Sequence, residues 1–146
     1  MDKTLICSWY EKYKVGIYRY ALSILKDAQM AEDVLQETFL RLLSGKYTVQ
    51  SGKEQAWLYK VAHNLCHDIL RKRNRETGDL PEPVGKESYE YMELIAVLDA
   101  TEREIVTLKI VGGLNHKEIA TVMRLTVHAS KKRYERAIHK LREGVR

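Results

Sequence analysis

Along most of this chain the apolar residues recur at steps of three and four, the spacing of one helix face. The clearest case is Glu54 to Arg75. Trp57, Leu58, Val61, Ala62, Leu65, Cys66 and Ile69 form its apolar side, and Lys60, Asn64, His67 and Arg71 its polar side. Ala28 to Leu43 repeats the pattern. Ala31, Val34, Leu35, Thr38, Phe39 and Leu42 point inward, and Glu32, Asp33, Gln36, Glu37 and Arg41 fall mainly outward. A first helix is predicted from about Leu5 to Lys26, with Trp9, Tyr13, Ile17, Tyr20, Ala21 and Leu25 in its stripe and Gly16 as a modest weakness. Asp27 stands where an N-cap for the second helix belongs.

Two stretches break the period. Ser44 to Lys53 holds two Gly and two Ser and reads as a loop, with Tyr47 its only aromatic residue. That tyrosine suits either stacking on an unpaired base or covering a core edge. Residues 76–89 hold both prolines, Pro81 and Pro83, with Gly78, Gly85 and several acids, and read as a linker. The chain is thus expected to be all-α, in two small helical modules, 1–75 and 90–146. In the second module a short helix runs from Glu90 to Leu98, with Ser88 as a possible cap. Thr101 with Glu104 forms a capping box for a helix to Val111, ended by Gly112 and Gly113. Asn115 with Glu118 opens the next helix, Lys117 to Met123, with Ile119, Ala120 and Met123 inward. Arg124 to Thr126 is a tight turn, and Thr126 caps a last helix, Val127 to about Glu143.

Charge sharpens this outline. The chain has 146 residues and a net charge of +5. From His128 to Arg146 seven Lys/Arg face two acids, so this segment carries a surplus equal to the whole chain's. A short helix, a tight turn and a longer basic helix form a helix-turn-helix outline. On the last helix Val127, Tyr134, Ala137, Ile138 and Leu141 are read as inward, and His128, Ala129, Lys132, Arg133 and Arg136 as groove-facing. The helix ending in Arg71, Lys72, Arg73 and Arg75 reads in two ways: cations complementing a helix dipole, or a row tracking phosphates. The second basic helix favours the latter. The acidic face of Ala28 to Leu43 is either a solvated surface or a dock for a basic partner.

Other chemistry finds little support. His63, Cys66 and His67 fall at i, i+3 and i+4, but a structural zinc site wants four ligands and Cys66 also fits the apolar stripe. No metal and no cofactor are therefore expected. The zinc-protease glutamate is missing between those histidines, and phosphate loop and nucleophile elbow are absent, so no enzyme is expected. Cys7 and Cys66 form no CxxC pair, and no apolar run is long enough to cross a bilayer; a reducing cytoplasm fits.

Two blocks resemble bacterial sigma factors of the extracytoplasmic-function (ECF) type. The first carries AEDVLQETFL (Ala31 to Leu40) and the pattern Trp57 to Arg71; the second runs from Ala100 to Glu143. The resemblance implies that Asp33, Gln36, Glu37 and Leu40 dock on the clamp helices of the polymerase largest subunit, with the flap region as a further contact. It implies that Lys60, Asn64, Asp68, Arg71 and Lys72 face the minus-ten promoter element, and that the loop with Tyr47 captures a flipped base. Thr126, His128, Ala129, Lys132, Arg133 and Arg136 would then serve the minus-thirty-five element. Core RNA polymerase, promoter DNA and an anti-sigma factor are the implied partners; neither a small-molecule substrate nor membrane insertion is implied. The chain departs from the family's habit at Arg124, where Gly is usual, at Ser130 and Tyr134, where aliphatics are usual, and at His63. A helix-turn-helix regulator that never touches polymerase is the alternative; it leaves the acidic second helix idle.

Overall fold

In a computed structural model, residues 2–75 and 86–144 are described, and for 86–89 only the backbone. Five of the described helices begin where a short polar side chain accepts a backbone N–H. Asp2 accepts from Thr4 N at 2.9 Å and opens α1, Lys3–Leu25. Asp27 accepts from Met30 N at 3.0 Å and opens α2, Ala28–Leu43, as expected. Lys26 makes the corner between them in the left-handed region, φ 54°. The helix α3 spans Glu54–Arg75, as its period predicts. Then come α4, Lys86–Leu94, a 3₁₀ turn Ile95–Val97, and α5, Ala100–Val106, which widens into a π turn Thr107–Val111. The pair α6, His116–Met123, and α7, Val127–Gly144, follow. No strand occurs among the described residues.

Three local expectations need correction. The helix α4 starts at Lys86, so Ser88 lies inside it rather than capping it. The capping box of α5 is Asp99 with Glu102, not Thr101 with Glu104: Asp99 Oδ1 accepts from Glu102 N at 2.8 Å and Glu102 Oε1 from Asp99 N at 3.0 Å. Both pairs fit the motif's spacing, but the side chain of Glu104 is engaged elsewhere. Val127, expected inward, is exposed in the first turn of α7. The Asn115–Glu118 box does open α6, and Thr126 Oγ1 accepts from Ala129 N at 3.0 Å at the head of α7. Beside them Val122 is fully buried, whereas Met123 is only half-buried.

The main core forms where α1, α2 and α3 pack. Trp9, Ile17, Tyr20, Leu25, Leu35, Phe39, Leu42, Leu58 and Cys66 are all buried there. It does not stop at the end of the first block: Ile105, Leu108, Leu114, Ile119 and Val122 belong to the same cluster. Each such aliphatic contributes roughly 1.5–3 kcal/mol on leaving water. A second, smaller cluster of Ile95, Leu98, Val106 and Ala137 holds α5 to α7.

Tyr59 lies at the seam between the two blocks, fully buried and edge-on to Tyr20 at 5.6 Å between ring centres. Gly16 and Gly112 make room for it. A Cβ at Gly16 would sit 2.3 Å from the Tyr59 hydroxyl, and one at Gly112 would meet Leu108 O at 2.7 Å and the Tyr59 ring at 3.1 Å. Gly16 is thus a packing requirement of the seam as well as a weak point in a helix.

Candidate nucleic-acid interface

The helix α3 has three faces, not two. Leu58, Ala62 and Cys66 point into the core. Lys60, Asn64, Asp68, Arg71 and Lys72 are all exposed, with Arg71 paired to Asp68 one turn away. Gln55, Tyr59, His63 and His67 form the third stripe and meet the second block. Gln55 Nε2 donates to Gly112 O. His67 is therefore not on the free polar side, where its spacing had placed it. Arg73 also leaves the basic row: its guanidinium donates to Leu25 O at 2.9 Å and contacts Met30 Sδ, tying the end of α3 to the corner after α1.

The third stripe closes on Glu104 of α5, which is buried at 6% exposure. Its Oε1 accepts from the Tyr20 hydroxyl at 2.9 Å and lies 3.0 Å from His63 Nδ1. Its two oxygens lie 3.1 and 3.0 Å from His67 Nε2. Burial alone would raise the carboxyl's pKa, but hydrogen bonds and charge from His63 and His67 prevail and hold it down to about 2. An ionised carboxylate only accepts, so both contacting ring nitrogens carry hydrogens. The hydrogen bond to Glu104 raises the pKa of His67 against the opposing effect of burial. Burial and the Glu104 charge push the Tyr20 phenol well up, so it stays a donor.

On α2, Asp33, Gln36 and Glu37 are exposed and Leu40 is 56% exposed among them. Gln29 donates to Asp33 at 3.0 Å, and Arg41 lies 3.6 Å from Glu37. In the loop after α2, Val49 is buried and pins the backbone, an anchor that the absence of period concealed. Tyr47 stays 43% exposed, its ring centre 5.7 Å from that of Trp57.

On α7, His128, Lys132, Arg133 and Arg136 are exposed, Ala129 is half-buried, and Thr126 is exposed while capping the helix. Beneath them Ser130 is fully buried and its hydroxyl lies 2.9 Å from His116 Nδ1. The hydroxyl therefore has the partner that a buried polar group requires. Tyr134 packs edge-on to His116, ring centres 5.3 Å apart, filling the place of the usual aliphatic. Arg124 adopts the left-handed conformation, φ 57°, in which the usual glycine is unstrained. No described helix is long and apolar enough to cross a membrane.

Most of the chain is similar to known proteins. The family model for sigma-70 region 2 matches residues 9–76 and that for sigma-70, region 4, matches residues 88–141. Over 131 residues the chain is 31% identical to the ECF RNA polymerase sigma factor SigM of Bacillus subtilis, covering 80% of each. It is 32% identical over 135 residues to the ECF RNA polymerase sigma factor EcfG of Rhodopseudomonas palustris, covering 84% of this chain and 75% of that one. Its fold is similar to that of CnrH, solved with the cytosolic domain of CnrY, at a TM-score of 0.74, 22% identity and coverage of 99% and 89%. The sigma factor RpoE of Bartonella quintana, solved with the anti-sigma factor NepR, gives a TM-score of 0.73 at 22% identity, with coverage of 93% and 95%.

Proposed function

The chain belongs to the ECF sigma factors of bacterial RNA polymerase, and from that membership we propose a role for each of its exposed polar surfaces. As a sigma factor it binds core polymerase and directs it to promoter DNA. Asp33, Gln36, Glu37 and Leu40 dock on the clamp helices of the largest subunit. What supports this most is Leu40, left 56% exposed in the middle of an acidic face. A large apolar side chain ringed by charge is the make-up of a small protein-binding patch.

Lys60, Asn64, Asp68, Arg71 and Lys72 face the minus-ten element, and the Tyr47 loop receives a base extruded from the opened strand. Extrusion costs a few kcal/mol, which stacking on Tyr47 or Trp57 offsets by about 1–3 kcal/mol. The α7 set, Thr126, His128, Ala129, Lys132, Arg133 and Arg136, reads the minus-thirty-five element from the major groove. The segments 1–75 and 90–146 work as two modules that separate on polymerase, joined by 76–89. An anti-sigma factor restrains the chain in the cytoplasm until it is needed.

The test is a charge reversal. Asp33→Lys with Glu37→Lys should abolish co-elution with core polymerase while upstream-duplex binding by the full chain is retained. Unchanged polymerase binding refutes the docking assignment.

A further inference from the structure

We propose that His63, His67 and Glu104 form a binding site for a divalent transition metal of the zinc class, bridging α3 and α5. Spacing alone offered His63, Cys66 and His67 as ligands. The fold rejects that set, because Cys66 faces the core and is fully buried. It supplies a different third ligand, a carboxylate more than thirty residues further along the chain. One ligand atom from each of His63, His67 and Glu104 lies within 4.8 Å of the other two. Glu104 Oε1 lies 3.0 Å from His63 Nδ1 and 3.1 Å from His67 Nε2, close to the edge of a coordination tetrahedron, about 3.3 Å for bonds of 2.0–2.1 Å. Histidines at i and i+4 of a helix with a carboxylate from another element give a mixed nitrogen and oxygen donor set. That set suits zinc and its neighbours rather than calcium or magnesium.

The surroundings match this use. The Tyr20 hydroxyl donates to Glu104 Oε1, the outer hydrogen bond that orients a ligating carboxylate. A cavity of about 220 Å³ reaches the site, lined by Ser23, Lys26, Leu70 and Arg103 beside His67 and Glu104. It gives solvent an approach to a fourth coordination position. Three protein ligands leave one position for water, unlike the closed four-ligand set of a structural zinc. On binding, the hydrogens at His63 Nδ1 and His67 Nε2 give way to the cation. The rings then carry their protons at His63 Nε2 and His67 Nδ1, and any further proton leaves to water.

Because the ligands come from both blocks, the metal holds the blocks together. At a hundredfold excess over its dissociation constant it favours the packed arrangement about a hundredfold. Where polymerase takes the separated form, as proposed above, metal and polymerase compete; the binding test below reads the metal alone and stands apart from that reading.

Zinc titrated calorimetrically into the chelator-treated full chain should bind at one equivalent. Glu104→Gln, which keeps a hydrogen-bonding side chain of the same shape, and His67→Ala should each weaken it about tenfold or more. His128→Ala, on the exposed face of α7, should leave it unchanged. In the unsubstituted protein, nitrogen-15 spectra should show the His63 and His67 rings moving on zinc addition, which needs no variant to fold. Absence of saturable uptake, unmoved His63 and His67 rings, or equal affinity in the Glu104→Gln protein overturns the site.

Discussion

Glu104 Oε2 lies 3.0 Å from His67 Nε2, although the two residues belong to different blocks of the chain. The pair closes a stripe in which Gln55, Tyr59 and His63 also reach across. Removing the carboxylate leaves the His67 ring N–H without its acceptor and takes a shared acceptor from His63 Nδ1 and the Tyr20 hydroxyl, which lie 2.9 Å from each other. Glu104→Ala should therefore destabilise the protein by about 2–3 kcal/mol, discounted because His67 is partly solvated. Urea denaturation of the metal-free protein measures it. A change below about 0.5 kcal/mol, the scatter of ordinary surface substitutions, would mean the seam does not depend on this residue.

His116, which partners the buried Ser130, makes the helix-turn-helix sensitive to acid through its own environment. Burial, together with the nearby Lys109 and Lys131, depresses the pKa of His116 below its ordinary 6.5. Such a base binds more protons unfolded than folded between its two pKa values, so stability rises with pH there. The contribution is complete above pH 6.5 and is lost as pH falls through the depressed folded value. Ser130→Ala should cost about 1 kcal/mol near neutrality. His116→Gln should flatten the pH dependence between 6.5 and lower values; a stability profile unchanged by that substitution contradicts the assignment.

Arg133 is exposed on α7. If it reads a base edge, Arg133→Ala should weaken binding to the upstream element by about 1–3 kcal/mol. A duplex with that element scrambled should then bind about as well as the native one. Equal losses on every sequence would make Arg133 a phosphate contact only. Anisotropy titrations at one fixed salt concentration distinguish the two.

The boundaries of α2 and α3 were legible because apolar period and local chemistry agreed, with Asp27 capping the former. The exposed sets on α2, α3 and α7 were legible for the same reason: an amphipathic helix declares its solvent side. The seam was not. His63 and His67 are polar and fall among polar neighbours, and their partner is 41 and 37 residues away. Glu104 was the more misleading for fitting a capping box with Thr101, when Asp99 and Glu102 fit it too and the backbone uses them. Tyr59 gave no sign of its burial, since it lies off the apolar stripe. Its only trace was the pair of glycines, Gly16 and Gly112, that admit it. Ser130 was identified as a departure, and its burial needed His116, fourteen residues earlier, to make sense.

This chain confers promoter choice on RNA polymerase. In vitro transcription of fragmented genomic DNA by core polymerase, with and without the protein, tests it most directly. Discrete starts should occur only with the protein added, each preceded by shared upstream and downstream elements, and be lost with the Asp33→Lys, Glu37→Lys protein. Starts that are the same with and without the protein would contradict it.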